Sequence, residues 1–135
     1  MTNHRIIMVR GVLWLALIGC TLAYSTTATA QHTQKVLRHV VTFQFKDEVT
    51  TERREQAVQD FLALADEIPE IKSFEGGANI SVEGLNSGYT HCFILTFENE
   101  AARDIYLPHP AHKKLAERNK PLMKALVVMD VWGEE

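Results

Sequence analysis

From Val36 to Lys46 the chain alternates strictly. His39, Val41, Phe43 and Phe45 fall on one side, and Arg38, Val40, Thr42 and Gln44 on the other. A period of two, carried by β-branched and aromatic residues, is the signature of a strand. The first set needs a cover of other elements. Any fold open to this chain therefore contains a sheet with one buried face.

The rest of the pattern supplies the cover. Thr50 or Thr51 caps a helix with Glu52 in its first turn. Val58, Phe61, Leu62, Ala65 and Ile68 form a stripe at helical spacing, and Pro69 ends it; Phe61, Leu62 and Leu64 are expected in the core. Lys72 to Val82 reads as a second strand, with Gly76-Gly77 marking a bulge or a close backbone approach. Gly84 to Gly88 is a turn-rich loop. Tyr89 to Phe97 is a third strand, with His91, Phe93, Leu95 and Phe97 on one face. Asn99 caps a helix from Glu100 to Leu107, a second helix runs from Ala111 to Asn119, and Pro121 closes it before a last strand from Ala125 to Trp132. Strand, helix, strand, strand, helix pair, strand predicts a ferredoxin-like α+β sandwich. Val40, Cys92 and Ile94 on the uncovered face predict a second sheet packed there, and so a two-fold homodimer.

The ends narrow the setting. His4, Arg5 and Arg10 precede a nearly continuous apolar run from Gly11 to Tyr24, and a small-residue segment ends in Ala28-Thr29-Ala30. This is the layout of a secretory signal peptide over residues 1–30, with cleavage before Gln31 and one domain over residues 31–135. Leu17-Ile18-Gly19-Cys20 offers the alternative of a lipobox, with Cys20 acylated; only then would the protein sit on a membrane. The predicted location is periplasmic or secreted, with a lipid anchor at the envelope as the alternative. After cleavage Cys92 is the one cysteine left, so no intrachain disulfide forms. The leader contains none of the 17 Asp+Glu, so the remainder is more acidic than the formal −3 of the whole chain. An acidic domain of this kind is not built for nucleic acid.

The chemistry collects in Tyr106-Leu107-Pro108-His109-Pro110-Ala111-His112. Pro108 stops one helix and Pro110 opens the next, so this is a rigid corner. Tyr106 ends one helix and His112 lies in the first turn of the other. His39 and His91 share their strand faces with Phe43 and Phe93 and point toward the helices. With Phe61 they are expected to line a pocket that the corner closes. A His titrating near neutrality can take a proton beside a carbonyl, and a Tyr can stabilise the enolate oxygen, with no cofactor. A metal site from His109 and His112 with His39 or His91 is a weaker alternative, because no carboxylate stands at zinc-ligand spacing.

The segments His39–Lys46, Glu67-Ile68-Pro69, Gly88–His91, Leu95–Glu98, Tyr106–His112 and Val127–Asp130, in this order, resemble the stress-responsive dimeric α/β barrel (Dabb) family. The resemblance implies ferredoxin-like units whose sheets pair into a barrel. In its polyketide-cyclase branch it implies catalytic roles for Tyr106 and His112, with His39 and His91 lining the pocket. Three functions are open: a small-molecule-binding homodimer, a cofactor-independent cyclase or isomerase, and a structural oligomer.

Overall fold

The computed structural model describes residues 33–135. In chain order they form β1 (Lys35–Phe45), α1 (Thr51–Leu62), α2 (Leu64–Glu67), β2 (Ser73–Ala78), β3 (His91–Phe97), α3 (Glu100–Tyr106), α4 (Pro110–Asn119) and β4 (Met123–Glu134). A 3-10 turn over Lys120–Leu122 feeds β4. The sheet order is β2-β3-β1-β4 with every neighbouring pair antiparallel, which is the predicted ferredoxin-like α+β arrangement. The proposed leader, its cleavage point and Cys20 lie outside the described residues.

The register sets what each strand offers the helices. On the covered face His39 stands between Leu95 of β3 and Asp130 of β4, and Phe43 stands between His91 and Leu126. Leu37, Val41, Phe43, Phe45, Phe93, Leu95 and Phe97 meet Ala57, Phe61, Leu64, Ile68, Tyr106 and Leu115 in one core.

Two expectations need correction. The buried helical stripe is Ala57, Phe61, Leu64 and Ile68: Phe61 and Ile68 are buried as expected and Val58 packs against the core half-buried, but Leu62 is 38% exposed and Ala65 is exposed. Positions i, i+4, i+7 and i+11 keep a single face across the break between α1 and α2 at Ala63. The second strand stops at Ala78, not Val82. There the Asn79 side chain accepts the Ser81 amide at 2.9 Å, an Asx turn that carries the chain off the sheet and leaves Ile80 and Val82 more than nine-tenths exposed.

At the glycine pair the pairing with β3 is continuous, so there is no bulge. There is a close approach: a Cβ on Gly76 would overlap the Cys92 carbonyl oxygen. The caps form as predicted. Thr50 accepts the Arg53 amide and Asn99 accepts the Ala102 amide. His109 caps α4, its Nδ1 accepting the Ala111 amide at 3.2 Å with Pro110 in the first position. On the uncovered face Val40, Cys92 and Ile94 are half-buried, and Met129 and Val131 are about half exposed.

Candidate functional site

Under the corner, between α4 and the β1–β4 half of the sheet, lies a cavity of about 90 Å³. His39 and Val41 floor it, Phe61 and Tyr106 close one side, and His112, Leu115 and Asn119 run along it on α4. Met123, Leu126 and Val128 of β4 form its outer wall. The residues along α4 follow from helix geometry, since His112, Leu115 and Asn119 at i, i+3 and i+7 share a face.

His112 has a defined tautomer. Its Nδ1 lies 2.9 Å from the Leu107 carbonyl oxygen. A carbonyl only accepts, so Nδ1 carries the hydrogen and Nε2 keeps its lone pair. Burial holds His112 below the ordinary imidazole range. The Leu107 bond opposes this, and the neighbouring His39 and His109 push in the same direction as burial. The Tyr106 ring is 4.4 Å from that of His112, centroid to centroid. Burial drives the Tyr106 pKa well above that of an ordinary phenol, so it remains an O–H donor. The site thus sets a neutral imidazole with a free ring nitrogen beside a neutral phenol, in apolar surroundings.

A second chain of contacts supports His39. Its Nδ1 is 2.6 Å from Asp130 Oδ1, and Arg103 Nη1 donates to Asp130 Oδ2 at 2.8 Å. Burial raises the Asp130 carboxyl, but the bonds from His39 and Arg103 outweigh it and hold the group below the usual carboxylate range. A carboxylate only accepts, so His39 donates through Nδ1 and its ring orientation is set. The His39 ring lies edge-on to Tyr106 at 5.7 Å.

Asn119 completes the far end. It is 1% exposed. Its Oδ1 accepts from Arg53 Nη2 at 3.0 Å, while its Nδ2 is buried without a hydrogen-bond partner among the described residues.

The structure therefore brings His39, Phe61, Tyr106 and His112 together. It does not bring His91, Phe43 or Phe93 to this cavity. His91 stands opposite Phe43, stacks on it at 5.2 Å, and meets Thr90 Oγ1 through Nδ1 at 2.9 Å. It borders a separate open groove with Tyr89, Gly76 and Cys92. Phe43 and Phe93 are fully buried, each stacked on Phe61, and act as the cavity's backing rather than its lining. His109 spends its Nδ1 on the α4 cap. Among the described residues no group of three or more His, Cys, Asp or Glu is placed to hold a metal. Asp130, Arg103 and Asn119 are the residues that the sequence reading missed. Asp130 left a signal, a carboxylate inside the apolar run Val127–Trp132; the other two left none.

The family model described as the stress responsive A/B barrel domain matches residues 37–132. The chain belongs to this family. Among stress responsive A/B barrel proteins it is 39% identical over 80 residues to the domain-containing protein HS1 of Arabidopsis thaliana, covering 59% of this chain and 73% of that one. It is 28% identical over 94 residues to the olivetolic acid cyclase of Cannabis sativa, covering 70% and 93%. A crystal structure of a dimeric ferredoxin-like protein of unknown function from Jannaschia sp. CCS1 superposes with a TM-score of 0.63 at 27% identity, covering 71% and 97%. The cavity of this A/B barrel domain, with its corner of Tyr106 and His112, falls inside the matched span.

Proposed function

We propose that this A/B barrel domain binds a small organic molecule in the cavity beneath the Tyr106–His112 corner, and that it works as a homodimer joined through its sheets. One observation carries the binding reading: the Leu107 carbonyl commits the His112 tautomer, so Nε2 is left with its lone pair beside a buried phenol at the wall of an apolar cavity. Such a pair accepts and donates toward one polar group of a ligand, while the lining covers its apolar remainder. The half-exposed Met129 and Val131 on the uncovered face support the dimer, as does the dimeric relative. The basic and apolar leader with its Ala28-Thr29-Ala30 end supports export, with acylation at Cys20 as the alternative.

Native mass spectrometry of the protein recovered from its own host tests this. The expected species is a dimer carrying a reproducible small organic mass. Tyr106→Phe and His112→Ala keep their melting temperature within a few degrees and lose that mass. Variants that keep the mass, or a bare wild-type protein, would overturn the reading.

The same free Nε2 favours a second reading, cofactor-free acid–base catalysis, which the likeness to a cyclase also supports. His112 Nε2 would take the proton α to a ketone carbonyl, and Tyr106 would hydrogen-bond the resulting enolate oxygen. Exchange of the α-protons of cyclohexanone in D₂O reads this step directly. Catalysis by the wild type that is lost in His112→Ala supports it, and background exchange in both rejects it.

A further inference from the structure

Among the described residues the Asn119 side-chain nitrogen has no hydrogen-bond partner, and Asn119 stands at the far end of the cavity lining. Arg53 only donates, so the Asn119 atom facing it at 3.0 Å is the oxygen, and the amide nitrogen is turned the other way. That nitrogen is buried and unpartnered, in a residue that lines the cavity. Native proteins leave few buried donors unpaired, because an unmade bond in a dry site is costly. Asn119 lies seven residues beyond His112, two turns along the same helix face, with Leu115 between them. At 1.5 Å of rise per residue the two backbone positions are about 10 Å apart. Along α4 the lining thus runs from His112 through the apolar Leu115 to Asn119, with a polar side chain at each end.

We propose that Asn119 is a second ligand anchor, its amide N–H donating to an acceptor oxygen at the C-terminal end of α4, so that the ligand carries an oxygen function at each end of a short apolar body. This rests on the small-molecule reading above and adds the ligand's chemical class to it. A ketone, ester or carboxylate oxygen meets the requirement at the Asn119 end; an alkyl terminus does not.

Two rigid probes differ by the one group in question. Cyclohexanone has a single carbonyl, and 1,4-cyclohexanedione adds a second on the opposite side of the ring. Both are titrated by NMR into the full domain, with shifts followed at the His112 ring and at the Asn119 side-chain amide. The dione is expected to bind about tenfold more tightly than cyclohexanone and to move the Asn119 amide protons downfield. In Asn119→Asp, which keeps an oxygen for Arg53 but replaces the donor by an acceptor, and in Asn119→Leu, the preference falls to about one. Equal affinity of the two probes for the wild type, or a preference that survives both variants, overturns the anchor and leaves the pocket reading standing; a water held by Asn119 would give that result. Should a variant fail to fold, the Asn119 amide shift in the wild type decides alone, and an unmoved amide counts against the anchor. No shift at His112 with either probe overturns both the pocket reading and this one.

Discussion

His112 draws its chemistry from one backbone contact, the Leu107 carbonyl that the proline-bracketed corner holds against Nδ1. Its titration has a defined sign. Burial, the largest influence, lowers its pKa from the ordinary 6.5, so the folded protein releases the proton more readily than the unfolded chain. Between the lowered value and 6.5 the unfolded chain binds more protons. Stability from this group is therefore complete above about pH 6.5 and is lost as pH falls through the lowered folded value. Exchange of cyclohexanone protons, if His112 is the base, follows the same group: it is level above pH 6.5 and declines with a midpoint below it. His91 is also lowered, chiefly by burial and then by Arg54, so His112→Ala removes only part of the stability slope but all of the rate profile. Stability curves and exchange rates measured from pH 4.5 to 8 check both. A rate midpoint above 6.5 would exclude His112 in this environment as the base. Asp130 is lowered too, against the effect of burial, by the bonds from His39 and Arg103; its contribution persists above its unfolded value near 3.8 and disappears in more acidic solution.

The strands and helices have their own tests, and Gly76 in β2 offers the sharpest. Its φ of +138° is one that L side chains rarely adopt, and a Cβ there would press on the Cys92 carbonyl oxygen and the Phe93 Cα of β3, backbone atoms that cannot turn aside. Gly76→Ala is expected to cost about 3 kcal/mol from strain and overpacking together. Gly77→Ala, with a comparable φ but open space, should cost less. Urea denaturation of both variants reads the difference, and equal losses would show that the close approach does not govern this strand. Much at this scale was legible beforehand. Alternation in β1 and β3 declared their inner faces, and Thr50, Asn99, Pro110 and Pro121 punctuated the helices as capping chemistry requires. Two things were not. Parity tells which face a side chain takes but not what stands over it. His39 and His91 share a face, yet His91 stands opposite Phe43, four residues along β1 from His39, about 13 Å at ~3.3 Å per residue. One imidazole meets the corner, and the other meets the aromatic core. Likewise Asn119 and Arg103 earn their roles from Arg53 and Asp130, residues 66 and 27 positions away, and no local pattern announces such a pairing.

For the molecule as a whole, the question is which functions need two copies. The uncovered sheet face carries Val40, Ile94, Met129 and Val131, an apolar set that a solvated sheet face would not hold. The cavity lies on the opposite, helix-covered face, and Val40, Ile94, Met129 and Val131 take no part in its lining. The two surfaces are therefore separable by mutation. Met129→Glu puts a charge into the proposed interface without touching the cavity lining. Sedimentation velocity at micromolar concentration is expected to give a dimer for the wild type and a monomer for Met129→Glu, with cyclohexanone affinity within about threefold between them. A wild-type monomer would sink the dimer. A Met129→Glu monomer that folds but no longer binds would mean that the pocket is completed across the interface. If the function lay in the assembly itself, the wild type would sediment as something larger than a dimer, and loss of His112 or Asn119 would leave that assembly, and whatever it does, intact. Binding that survives in the monomer and disappears in His112→Ala instead assigns the function to the cavity, with dimerisation serving to cover the apolar face of the sheet.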